Sequence, residues 1–124
     1  MRIRSDKNGG VVVVELAGAL EADTVEDFNG FFQRGEGRGE SRIVLELSGL
    51  EYMDSSGLGA FVRLMKEARK REGDVLLVGP TNEVKKVLEL TRLNRVFGCA
   101  GSVAEALERF AERAEGRGEA HCSP

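Results

Sequence analysis

Few residues of this chain have the type and spacing that chemistry requires. Its one histidine, His121, lies in a polar terminal stretch, so a general base beside a nucleophilic serine has no good candidate. Cys99 and Cys122 are distant in sequence, and with no histidine cluster they offer no metal-ligand spacing. They read as two free thiols. Glu46 and Glu51 flank a strand end as paired carboxylates can, but with 31% of residues charged this reads as solvated surface. The run Arg34-Gly35-Glu36-Gly37-Arg38-Gly39 looks like a dinucleotide loop. It follows a helix and precedes a strand, the reverse of a phosphate cradle, and reads as a linker.

What remains is Met53-Asp54-Ser55-Ser56-Gly57-Leu58-Gly59, beyond a buried strand and on the turn that opens a helix. The first turn of a helix presents unsatisfied N–H groups and the positive end of the dipole. A serine there can cap the helix without any further function. The other reading is that the same hydroxyl is exposed and accepts a phosphate. A charge near −2 at a helix N-terminus is tolerated by the fold, while a partner docked on that turn meets a new charge beside Asp54.

The elements that position this turn follow from apolar patterning. Asp6-Lys7-Asn8-Gly9-Gly10 predicts a hairpin, with Asn-Gly at the positive-φ positions, joining a strand at Met1–Arg4 to one at Val11–Ala17. Val25, Phe28, Phe31 and Phe32 have helical spacing behind a cap at Asp23 or Thr24. Arg42–Leu47 and Val75–Val78 read as buried strands. Between them runs a helix with Leu58, Phe61, Val62, Met65 and Ala68 inside and its end at Gly73. Asn82 is the expected cap of a third helix carrying Val84, Val87 and Leu88. Arg95–Phe97 is the expected last strand. Ser102 with Glu105 forms a capping box before a fourth helix with Val103, Leu107, Phe110 and Ala114 inside.

Strand–helix–strand units of this kind imply parallel pairing with right-handed crossovers. The expectation is one α/β domain over residues 1–115, with a mixed four- to five-stranded sheet flanked by about four helices. Residues 116–124 form a polar, glycine-rich tail expected to be disordered. At 124 residues the chain is one domain's worth, and its formal charge of −3 argues against nucleic acid. The longest apolar runs are short, and the N-terminus lacks an apolar signal core, so no membrane segment and a cytoplasmic location are expected.

From about Val11 to Glu112 the chain resembles the STAS domain of anti-sigma factor antagonists, the bacterial SpoIIAA-like family. Val44–Gly59 is similar to the family's strand and phosphorylation loop, Gly18–Thr24 to the loop before its first helix, and Leu90–Phe97 with Ser102–Leu107 to its C-terminal third. The resemblance implies a small mixed α/β fold and partner switching. The unmodified antagonist binds an anti-sigma factor that is also a serine kinase, and sigma factor is released. Phosphorylation of the loop serine reverses this, and a metal-dependent serine phosphatase resets it. ATP then belongs to the kinase, and this chain needs no cofactor and is no enzyme.

Carried over by position, Ser55 is the phosphoacceptor and Asp54 its neighbour. Ser56 supports the turn, Gly57 keeps the backbone open to the partner, and Leu58 completes the partner-binding set with Glu21 and Asp23. Glu21 stands where the family usually has Asp, one methylene longer. A stand-alone STAS subunit scaffolding an ABC-type lipid transporter is the alternative, and the intact Asp-Ser-Ser-Gly loop argues against it.

Overall fold

A computed structural model of the chain describes residues 1–114. The expectations for 115–124, including His121, Cys122 and the tail, lie outside the described residues. The hairpin forms, with strand β1 (Arg2–Asn8) antiparallel to β2 (Val11–Leu20). Asn8 pairs with Val11, so the two turn positions are Gly9 and Gly10, at φ 58° and 85°. The turn thus lies one residue later than Asn-Gly chemistry predicts. Two consecutive glycines carry the positive φ more easily than an asparagine does, which leaves Asn8 to pair in the ladder.

From β2 the chain alternates through α1 (Val25–Gln33), β3 (Arg42–Met53), α2 (Ser55–Lys70), β4 (Asp74–Val78), α3 (Asn82–Leu90), a short 3-10 turn (Leu93–Arg95), β5 (Gly98–Ala100) and α4 (Val103–Ala114). One sheet results, in the order β1-β2-β3-β4-β5, with β2 through β5 mutually parallel. The mixed α/β architecture is the one expected, at five strands. Three local expectations change. The last strand is Gly98–Ala100 rather than Arg95–Phe97, because Arg92, at φ 62°, turns the chain into the 3-10 segment and Phe97 enters the core instead. Thr81, not Asn82, caps α3. Cys99 is disulfide-bonded rather than a free thiol. Cys99 stands on β5, the edge strand of the sheet.

The alternation of side chains sorts the sheet into two cores. Ile43, Leu45 and Leu47 of β3, with Val75 and Leu77 of β4, face α1, α2 and α3. Val44, Leu76 and Val78 face the opposite side and meet Ala106 and Phe110 of α4. Strands buried on both faces read as continuous apolar runs, as β4 does. Phe61 of α2 is wholly buried, with the ring of Phe28 at 5.4 Å and that of Phe97 at 6.3 Å. At the other end of α2, buried Asp74 pairs with Arg69 at 2.9 Å and Arg113 at 2.7 Å. That contact ties α2 and α4 to the start of β4.

Among the described residues no helix is long and apolar enough to cross a membrane.

Candidate functional site at the start of the second helix

Parallel pairing puts the C-terminal ends of β2 and β3 side by side, and the loops leaving them build the site. β3 runs past the expected Leu47 to Met53, following β2 with two register shifts, between Glu15 and Ala17 and between Gly18 and Ala19. At the first shift, two residues of β2 are matched by three of β3. A bulge of this kind breaks the alternation, which is why Leu47, Leu50 and Met53, three apart, all point inward. The same irregularity hid this half of the strand from a period-2 pattern. Gly49 sits at the bulge, where a Cβ would lie 3.1 Å from the Leu16 carbonyl oxygen.

The helix cap is Asp54, not a serine. Its backbone is extended, and its Oδ1 accepts from the Ser56 N–H at 2.9 Å and the Gly57 N–H at 3.1 Å. Aspartate offers a second oxygen that serine lacks, and Asp54 uses it: Oδ2 accepts from the Ala22 N–H at 3.2 Å. The Asp54 N–H in turn donates to the Leu20 carbonyl at 3.2 Å. One residue therefore satisfies two orphan donors of α2 and fastens the loop that follows β2.

That loop is itself pinned from within. Thr24 Oγ1 donates to the Ala19 carbonyl at 2.7 Å and accepts from the Glu21 N–H at 3.0 Å. Thr24 stands at the N-cap position of α1, yet its hydroxyl makes no cap bond and staples the loop instead. Glu21 and Asp23 flank the tethered Ala22, so both carboxylates stand at the same end of the fold as Ser55. Asp23 is exposed and Glu21 half-buried.

Ser55 is the first residue of α2 and is exposed. With the cap supplied by Asp54, the Ser55 hydroxyl has no capping duty. Ser56 is half-buried. Gly57 and Leu58 face inward: Leu58 belongs to the main core, and a Cβ on Gly57 would lie 2.6 Å from the Leu20 carbonyl oxygen and 2.9 Å from Met53. The glycine is required by the close approach of α2 to the end of β2. Exposure of backbone to a partner does not explain it.

Two further residues of this end are not among those singled out by spacing. Tyr52, two residues before the cap, is 48% exposed. Thr81 Oγ1 accepts from the Val84 N–H and donates to the Leu50 carbonyl at 3.0 Å, fastening α3 to the bulged part of β3. Glu46 accepts from the Ser48 N–H and hydroxyl, and so behaves as ordinary surface.

Comparison with known proteins agrees with this geometry. The family model of the STAS domain matches residues 2–106. BtrV, a candidate anti-sigma factor antagonist of Bordetella bronchiseptica, is 27% identical over 110 residues, covering 89% of this chain and 95% of its own. The crystal structure of a candidate anti-sigma factor antagonist of Thermotoga maritima superimposes with a TM-score of 0.81 at 28% identity, over 88% of this chain and 94% of that one. SpoIIAA, a Bacillus cell-fate determinant solved in its phosphorylated form, gives a TM-score of 0.63 at 25% identity, over 87% and 98% respectively.

Proposed function

Because the chain belongs to the STAS domain family, we propose that it is an anti-sigma factor antagonist switched by phosphorylation of Ser55. One observation carries the proposal: Ser55 is exposed at the start of a 16-residue helix whose capping is done entirely by its neighbour. The hydroxyl is accessible to a kinase, and modifying it removes no bond that the fold uses. The relatives named as antagonists, and the one solved in a phosphorylated form, support the same reading.

In this scheme the unmodified protein binds an anti-sigma factor through the turn at Ser55 and the tethered loop bearing Glu21 and Asp23. Sigma factor is then released. The anti-sigma factor is also the kinase: it brings ATP, the γ-phosphoryl group passes to Ser55 Oγ as the hydroxyl proton is lost, and ADP leaves. The new dianion sits at the positive end of the α2 dipole, so the fold tolerates it. In the complex it is instead pressed, away from water, beside the Asp54 carboxylate. Like charges forced together at an interface cost several kcal/mol. Moving a population from almost all bound to almost none needs about 5.5 kcal/mol. One phosphate supplies most of that difference, and a metal-dependent serine phosphatase removes it again. The chain itself acts as a binding switch and needs neither cofactor nor catalytic residue.

The test is intact mass with peptide mapping on protein isolated from its native host under growth and stress. The expected result is a single phosphoryl group on Ser55 whose occupancy changes with condition. An unmodified Ser55 in every condition, with co-purification of a membrane transporter, would overturn it in favour of a transporter scaffold.

A further inference from the structure

Away from the Ser55 turn, α1 and α2 enclose a groove of about 350 Å³, within the size range of small-ligand sites. Its floor is apolar. Phe28 and Ala60 are buried there, and Phe32 and Leu64 are half-buried. The α2 side is a single helical stripe, in which Ala60, Arg63 with Leu64, Glu67 and Arg71 recur once per turn. The third wall is the glycine-rich segment 37–40. Gly37 is buried so closely that a Cβ would lie 2.7 Å from the Phe31 ring and 2.8 Å from that of Phe32. The segment that reads as a linker is thus packed on aromatic rings.

The charges of this groove do not balance. Its two acids are each engaged by a lysine that is not part of the lining: Glu40 by Lys7 at 2.7 Å and Glu67 by Lys70 at 3.4 Å. Arg38, Arg63 and Arg71 line it and are exposed, and none of them enters an ion pair among the described residues. Three uncompensated guanidinium groups over an aromatic and aliphatic floor are unexpected in a chain of formal charge −3. A guanidinium presents paired N–H donors that match carboxylate and phosphate oxygens.

We propose that the groove between α1 and α2 binds a small amphiphilic anion, with a carboxylate or phosphate head held by Arg38, Arg63 and Arg71 and an apolar body on Phe32 and Leu64. The site is separate from the switch. It occupies the second half of α2, whereas Ser55 opens that helix, and the inference stands whether or not Ser55 is phosphorylated.

The test is a titration of the full chain, followed by amide chemical shifts, with decanoate, decyltrimethylammonium and phosphatidylglycerol vesicles, the soluble probes being kept below micelle formation. Decanoate is expected to saturate below about 1 mM, with shifts concentrated in residues 28–33, 37–40 and 60–71. The cation should bind at least about tenfold more weakly. The double variant Arg63→Glu/Arg71→Glu should lose at least about tenfold in decanoate affinity, while Arg63→Lys/Arg71→Lys keeps most of it. Both pairs are on the surface, and an unchanged amide spectrum in the absence of probe verifies the fold. Equal binding of the cation, shifts lying elsewhere, or indifference to charge reversal would overturn the assignment. So would binding to vesicles without binding to monomeric decanoate, which would mark a membrane-facing patch instead.

Discussion

Asp54 holds the Ala22 amide with one carboxylate oxygen while its other oxygen caps the helix that begins at Ser55. The two residues are 32 positions apart, and the contact joins the acidic loop to the turn that opens α2. Replacing a capping residue by alanine costs about 0.5–2 kcal/mol. Asp54→Ala also strips the Ala22 amide of its acceptor, so a loss of about 2 kcal/mol is expected in urea denaturation. Asp54→Asn keeps one acceptor oxygen and should lose only one of these two functions. Its cost should be about half as large. If the two variants lost equal stability, the second oxygen would not hold the loop.

Gly57 and Gly59 lie on the same helix and should respond to alanine in opposite ways. A methyl group on Gly57 meets the Leu20 carbonyl oxygen at 2.6 Å, and backbone there cannot yield as a flexible side chain would. Overpacking of this kind costs about 1–3 kcal/mol. At Gly59 a Cβ meets nothing within 4 Å, so Gly59→Ala gains the difference in helix propensity, about 1 kcal/mol. Thermal unfolding of the two variants checks both signs. Gly57→Ala should also weaken partner binding, because shifting the start of α2 moves Ser55.

The part of this fold that sequence shows is the part built from local periodicity. The apolar runs at Arg42–Leu47 and Val75–Val78 give buried strands, and the stripe from Leu58 to Ala68 gives the inner face of α2. Where side-chain period breaks, legibility ends. The bulged second half of β3 places Leu47, Leu50 and Met53 three apart, a spacing that belongs to neither a regular strand nor a long helix. Phe97 reads as strand because it is apolar, yet it is wholly buried at the exit of a 3-10 turn fixed by Arg92. The site divides similarly. That a serine lies at a helix start follows from Asp-Ser-Ser-Gly alone. That Asp54 reaches Ala22, and that Gly57 answers a backbone oxygen of β2, depend on strand adjacency that spacing does not encode.

Thr24 makes a separate prediction for the acidic loop. Its hydroxyl satisfies the Ala19 carbonyl and the Glu21 amide together, both partly buried. Thr24→Val keeps the shape and removes the bonds. Leaving such groups unpaired costs about 1–3 kcal/mol, less where water can reach them. Amide exchange at residues 21–24 should accelerate, while the core strand β4 is affected only through the global loss. Uniform acceleration across the sheet would show that Thr24 supports the whole fold instead of the loop.

Ser55 itself should separate stability from binding. No acidic residue occupies the first turn of α2, so Ser55→Asp introduces one where the dipole favours it by about 0.3–1 kcal/mol. Repulsion from the adjacent Asp54 opposes this, and the net change in unfolding free energy should stay within about 0.5 kcal/mol. Ser55→Ala should be equally silent, since the cap bonds belong to Asp54. Binding to the anti-sigma factor should divide the two variants. Ser55→Ala should bind as the wild type does and resist phosphorylation, whereas Ser55→Asp should lose at least about tenfold in affinity, or 1.4 kcal/mol. Calorimetric titration beside chemical denaturation reads both quantities on the same preparations. An aspartate that binds as tightly as serine would remove the charge clash as the basis of switching, and an alanine that unfolds the domain would make Ser55 a structural residue.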